Sequence, residues 1–230
     1  MNNISKNIHL CYKDKNVPKY VIDNLLKLNP NYNICLSDDE DCKNFLYKNF
    51  SQQHVDCFEF IPHGPIKADF WRVCKLYIDG GIYCDIDIEP LVPFDSFFES
   101  DAIFVTSSSK IRNYLNPIIL AAHKHDPILE HCIDIYINKK FPKKNRYRYW
   151  DWSICPIMHR AFCVLFRIRV FNQPVFHKII HNNLLYQFLN ESVSHHRNKM
   201  CTLYNNISVC NNHYSGYKSR SHDEGFINEL

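Results

Sequence analysis

The chain has 230 residues, 46% of them apolar and 22% charged, with a net charge of +3. These values exclude wholesale disorder and give no support to a nucleic-acid or membrane-surface binder. Eleven scattered cysteines without one Cys-x-x-Cys pair exclude zinc-ribbon and thioredoxin-type sites, and such a set fits free thiols in a reducing compartment.

Ile8 to Tyr12 is a compact apolar run, most simply a buried parallel strand. Val17-Pro18 then starts a helix at its first turn, with Val21, Leu25 and Leu28 on the buried face. Asn29-Pro30-Asn31 breaks that helix, and Tyr32 to Leu36 reads as the next strand. In Ser37-Asp38-Asp39-Glu40 the spacing predicts a capping box, Ser37 capping and Glu40 reaching back. Phe45 to Phe60 continues a helical and loop layer. Strand alternating with helix, without hairpin signals, argues a parallel sheet with right-handed crossovers.

The stretch from Pro65 to Leu91 organises the rest. Ile66, Phe70, Val73 and Leu76-Tyr77 recur at helical spacing, so a helix is predicted from Pro65 to about Asp79. Gly80-Gly81 ends it, because glycine takes the left-handed conformation without steric cost. Ile82-Tyr83-Cys84 follows as a buried strand, running out into Asp85-Ile86-Asp87. Two carboxylates one residue apart at a strand end can converge on one hard cation, Mg²⁺ or Mn²⁺, although a solvated turn carries the same pattern. Ligands of open α/β sheets bind at that carboxyl edge.

Asp69-Phe70-Trp71-Arg72, Gly80-Gly81-Ile82-Tyr83 and Asp85-Ile86-Asp87, in this order, resemble the sugar-transferase block of glycosyltransferase family 32, to which the large bacterial glucosylating toxins look distantly related. The resemblance implies a GT-A type α/β fold, a Rossmann-like and mostly parallel central sheet flanked by helices. It also implies a retaining, metal-dependent transfer of a hexose from a nucleotide-diphosphate sugar to a hydroxyl acceptor on a glycan, glycolipid or protein glycan. Asp69, Arg72 and Asp87 take the catalytic roles, and Asp85 and Asp87 hold Mn²⁺ or Mg²⁺. Asp69 and Arg72 face the donor sugar and phosphate; an exposed i,i+3 ion pair is the plainer account of the two. Tyr83 and Asp85 also belong to the donor site. Ile8-His9-Leu10-Cys11-Tyr12 matches the family's opening Ile-His-x-x-Trp-Lys, which puts Leu10 and Tyr12 at the nucleotide base. For His9 a core hydrogen bond is the alternative.

Downstream, Ala102 to Thr106 and Ile118 to Ala122 read as strands, and Asp126-Pro127 starts a helix with Ile128, Leu129, Cys132, Ile133, Ile135 and Tyr136 on its apolar face. Lys139 to Arg148 reads as a solvated basic loop. Cys155-Pro156 stands where relatives carry Thr-Gly-Pro, a departure at the glycine. Arg160, Arg167 and Arg169 are surface residues or phosphate contacts. Trp150 and Trp152 are either core anchors or flat faces for an acceptor sugar approaching between Ser107 and Asn116, with Asp151 orienting its hydroxyl. Ile207 to Cys210 is a last strand. The turn after it offers Ser215 and Tyr217 to the donor and His213 to the metal, although the family's Ser-Trp pair is missing.

The whole chain, 1–230, is expected to be one catalytic domain, with 219–230 a polar, frayed tail. No segment has signal-peptide or membrane-span character, so a soluble, cytoplasmic protein is expected. Its partners would be a nucleotide sugar and a carbohydrate or lipid-linked acceptor. A sugar-nucleotide-binding pseudoenzyme and a metal-dependent phosphodiesterase are the competing readings.

Overall fold

The computed structural model describes residues 4–109, 114–139, 141, 147–168, 178–193 and 200–213. Strands β1 (Asn7–Cys11) and β2 (Asn33–Ser37) pair in parallel across helix α1 (Lys19–Leu28). Pro18 caps α1 from just outside it, and Val21 and Leu25 are its buried residues. The capping box of α2 (Asp39–Asn49) lies one residue beyond the expected place. Ser37 is the last residue of β2, so the extended Asp38 caps: its carboxylate accepts the Asp41 amide at 2.9 Å and Asp41 accepts the Asp38 amide at 3.3 Å.

After α3 (Gln52–Phe60) comes α4 (Gly64–Asp79), buried along much of its length. Gly80 (φ 62°) closes it with its amide on the Leu76 carbonyl. Gly81 (φ 102°) opens β3 (Gly81–Cys84) so close to β1 that a Cβ there would lie 2.7 Å from the Asn7 carbonyl oxygen. His9 sits at the same crossing and is a core residue. Its Nε2 donates to the Gly80 carbonyl at 3.0 Å, and burial lowers its pKa to about 4.

Beyond β3 and the short β4 (Glu89–Pro90) the connections change. Strands β5 (Ala102–Ser109) and β6 (Tyr114–Ala122) form an antiparallel hairpin, and β6 lies antiparallel to β3. Both are longer than expected, so Ser107 and Asn116 lie in strands and do not bound an acceptor loop. Helices α5 (Pro127–Ile137), α6 (Tyr149–Trp152) and α7 (Ile154–Leu165) follow. Three further strands were not foreseen: β7 (Lys178–His181), β8 (Leu184–Val193) and β9 (Met200–Tyr204), which precede β10 (Ile207–Asn211). Their hairpins turn on Asn182-Asn183 and Asn205-Asn206, all four at positive φ, which asparagine tolerates in two-residue loops.

Among the described residues these ten strands form one mixed sheet, ordered β2-β1-β3-β6-β5-β8-β9-β10-β4 with β7 beside β8. It is parallel at β2-β1-β3 and at β5–β8, and antiparallel elsewhere. Alternation along the strands splits the core. Tyr83, Phe104, Leu120, Tyr186 and Phe188 face the layer of α2 to α5 and α7, whereas Ile82, Cys84, Val105, Ile119 and Leu189 face α1 and the Phe94–Phe97 turn. All eleven cysteines are thiols, most of them buried. No helix among the described residues is long and apolar enough to cross a membrane.

Candidate active site

The parallel strands β1 and β3 end side by side, His9 paired with Tyr83. This brings Tyr12, half-buried just past β1, to the same edge of the sheet as Asp85. Leu10 lies deeper, fully buried in the core under that edge. The Asp85 amide is held by the Ile118 carbonyl at 2.9 Å and its own carbonyl takes the Ile88 amide at 3.1 Å. Asp85-Ile86-Asp87 is therefore a closed turn, with Ile86 and Ile88 buried beneath it.

Arg72 is the hub of the site. Its Nη2 lies 2.8 Å from Asp69 and 3.0 Å from Asp85, its Nη1 donates to the Pro117 carbonyl at 2.7 Å, and its Nε donates to the Ala68 carbonyl at 3.3 Å. The Tyr83 ring lies 4.2 Å from the guanidinium carbon, and the Tyr83 hydroxyl donates to Asp85 Oδ1 at 2.9 Å. The Asp69–Arg72 pair spaced i,i+3 is not the exposed surface pair that spacing alone allows: the two side chains are 11% and 5% exposed. Asp69 is further fixed by the first amide of α7, Ile154 N–H, at 3.0 Å, while Ser153 caps the same helix.

The electrostatics are unbalanced. Burial pushes Asp85 up to about 7, Arg72 works against that, and the neighbouring Asp87 and Asp69 add to it. Burial also raises Asp69, opposed by Arg72 and the Ile154 amide. Two carboxylates thus share one guanidinium, and Asp87 stands as a third acid close enough to act on Asp85. Surplus negative charge on oxygen donors at a strand end suits a hard divalent cation. On the open side, His213 Nδ1 stands 3.3 Å from Asp87 Oδ2. Among the described residues no three His, Cys, Asp or Glu side chains gather to hold a metal by themselves. A cation here would need other oxygens, such as those of a diphosphate.

The two tryptophans part company. Trp152 is buried against Phe60, Tyr136 and Tyr147, with Lys139 over its ring, so it is a core anchor. Trp150 is 40% exposed and stands edge-on to Tyr149, which in turn meets His63. Burial raises the pKa of the Tyr149 hydroxyl, and the Asp69 charge adds to the rise. Asp151 is exposed and its carbonyl accepts from Lys139. Arg160 and Arg167 are exposed too. Arg169, Ser215, Tyr217 and the tail 219–230 lie outside the described residues.

Sequence reasoning missed a second set of residues. Glu191, in β8, is buried and receives the side-chain amides of Asn116 (2.9 Å) and Asn212 (2.8 Å) on one oxygen. A buried acid two residues beyond the buried run Leu185–Leu189 was the available signal, but nothing local connects it to Asp85.

A family model described as "Glycosyltransferase sugar-binding region containing DXD motif" matches residues 16–104. Inositol phosphoceramide mannosyltransferase 1 of Schizosaccharomyces pombe is 31% identical over 139 residues, 58% of this chain and 43% of that protein. The initiation-specific alpha-1,6-mannosyltransferase of Candida albicans is 27% identical over 84 residues, 36% of this chain and 22% of that protein. The chain therefore spans less than half the length of these curated relatives. Among solved structures, the PaToxG glycosyltransferase superposes with a TM-score of 0.54 at 20% identity, covering 72% of this chain and 71% of that one. The fold is of the GT-A glycosyltransferase type.

Proposed function

We propose that this chain, whose residues 16–104 match the model of a DXD-type glycosyltransferase sugar-binding region, is a metal-dependent retaining glycosyltransferase. It moves a hexose from a nucleotide-diphosphate sugar to a hydroxyl of a glycan or lipid-linked acceptor. The observation that carries this reading is Arg72 holding Asp69 and Asp85 together, with Asp87 on the same closed turn at the carboxyl edge of the sheet.

The leaving group of such a donor is a nucleoside diphosphate, and its departure builds negative charge on the β-phosphate. A divalent cation held by Asp87 and Asp85, with His213 beside them, would supply the opposite charge where it develops. Arg72 stays cationic because Asp85, Tyr83 and Asp69 outweigh its burial, and it fixes both carboxylates in register. Asp69, pinned by Arg72 and the Ile154 amide, keeps lone pairs for donor-sugar hydroxyls. Tyr12 offers a flat face for the base at the end of β1, and Tyr83 orients Asp85. The acceptor would lie along His63, Tyr149 and Trp150, where aromatic faces suit sugar C–H groups.

Both relatives above are named mannosyltransferases, so mannose leads the donor panel. The test incubates the protein with UDP- and GDP-linked sugars with Mn²⁺, with Mg²⁺ and with chelator, following sugar release and transfer. Metal-dependent turnover of one donor supports the reading. Phosphodiester cleavage of non-sugar substrates would favour the phosphodiesterase, and nucleotide-sugar binding without turnover the pseudoenzyme.

A further inference from the structure

Glu191 is buried to 3% exposure in the middle of the sheet, between Ser109 of β5 and Thr202 of β9. A buried carboxylate costs several kcal/mol unless donors compensate it, and an aliphatic residue would fill a strand position at no such cost. What this carboxylate gains is two amides converging on a single oxygen, Asn116 at 2.9 Å and Asn212 at 2.8 Å.

The two amides belong to opposite sides of the site. Asn116 precedes Pro117, whose carbonyl takes Arg72 Nη1 at 2.7 Å. Its own side-chain oxygen accepts Cys155 Sγ at 3.5 Å, one residue past the Ile154 amide that holds Asp69. Its backbone carbonyl accepts the Ser107 hydroxyl. Asn212 precedes His213, which meets Asp87 at 3.3 Å, and follows Asn211, which donates to Glu89 at 2.7 Å. The Asn212 amide is oriented by Thr202, whose hydroxyl donates to its oxygen at 2.9 Å. One carboxylate oxygen thus joins the Arg72–Asp69 side to the Asp87–His213 side.

We propose that Glu191 is a positioning residue that clasps these two sides, setting the distance between the Asp69–Arg72 pair and the Asp87–His213 pair that one donor must span. The inference rests on the donor-site reading above. The clasp needs an acceptor oxygen at this place and no charge of its own. Glu191→Gln therefore preserves it, and Glu191→Leu removes it while keeping a strand former.

The experiment follows Mn²⁺-dependent binding of UDP and of GDP by calorimetry, together with backbone amide resonances of Asp87 and His213 and the Arg72 side-chain resonance. Asn212→Ala is a second variant that opens the clasp from the other end and leaves Asn116 on Glu191. Loss of such supporting hydrogen bonds weakens affinity about tenfold or more. The expected result is that weakening in Glu191→Leu and Asn212→Ala, with shifts on both sides of the site, and near wild-type behaviour in Glu191→Gln. Equal weakening in Glu191→Gln would show that the charge acts directly and overturn the clasp, as would unchanged binding in folded Glu191→Leu and Asn212→Ala. If the wild type binds neither nucleotide, the donor-site reading falls. The resonances then still decide the coupling: shifts on both sides sustain it, and shifts on one side overturn it.

Discussion

Replacing Arg72 by methionine keeps a long side chain in the slot and strips every partner of the guanidinium. The Pro117 carbonyl loses a 2.7 Å bond, the Ala68 carbonyl one of 3.3 Å, and two carboxylates lose ion pairs of 2.8 and 3.0 Å. Asp69 keeps the Ile154 amide and Asp85 keeps the Tyr83 hydroxyl, so neither is left wholly bare. Removing one partner of a buried pair costs about 3–5 kcal/mol, against a total stability of about 5–15 kcal/mol. Arg72→Lys should recover only part, because one ammonium cannot serve two carboxylates and a carbonyl in the planar fork geometry. Urea denaturation followed by tryptophan fluorescence measures this, and adding Asp69→Asn closes a double-mutant cycle. The double variant should fall short of the summed penalties by about 1–3 kcal/mol, since the stranded charge is gone. A penalty below about 1 kcal/mol for Arg72→Met, or strict additivity, would refute the hub.

Gly81→Ala should cost about 2 kcal/mol or more in the same assay, since φ is 102° and the new Cβ meets the Asn7 carbonyl at 2.7 Å. Gly64→Ala, with open space at its Cβ in the first turn of α4, should be neutral or stabilising by about 0.5–1 kcal/mol. Asp126 caps α5 with Oδ1 while Oδ2 is buried with no hydrogen-bond partner among the described residues, and burial pushes its pKa up to about 7. A carboxyl raised on folding contributes stability that is complete below pH 4 and is lost as pH rises through 7. Asp126→Asn should therefore flatten the stability profile between pH 4 and 7 and gain up to about 4 kcal/mol at pH 8, at roughly 1.4 kcal/mol per unit; an unchanged profile would sink this account. Asp87→Ala should abolish the Mn²⁺ dependence of nucleotide diphosphate binding in calorimetry. In folded Trp150→Ala, sugar transfer should fall and donor hydrolysis persist, whereas Trp152→Ala should cost about 3–5 kcal/mol of stability, as the loss of a buried aromatic does.

The first half of the fold was legible because its signals are local. The α4 periodicity, the Gly80-Gly81 stop and the all-apolar β3 each declare themselves within a few residues, and their bounds shifted by one at most. Ser37 misled because Asp38 and Asp41 compete for the same role one residue on, and only the end of β2 decides between them. The β5–β6 hairpin escaped notice because Lys110 to Asn113 contain neither glycine nor proline. Asn182-Asn183 and Asn205-Asn206 were readable turn signals that a parallel-sheet expectation passed over.

The candidate site divides along the same line. Asp69, Arg72, Asp85 and Asp87 sit within one helix, the strand after it and the turn that ends it, so their spacing encodes their proximity. The backbone groups that fix the Asp69–Arg72 pair come from β6 and α7: Pro117 lies 45 residues beyond Arg72, and Ile154 lies 85 beyond Asp69. Pro117 acts through its backbone carbonyl and Ile154 through its amide, groups every residue carries, so side-chain pattern has no means of marking them. Cys155 shows the consequence. Read against the family it was a lost glycine, and in the fold it is the thiol that reaches Asn116 beside Glu191. A motif therefore locates the reacting edge, while the distances across it are set by backbone groups and by side-chain amides from segments that the motif does not contain.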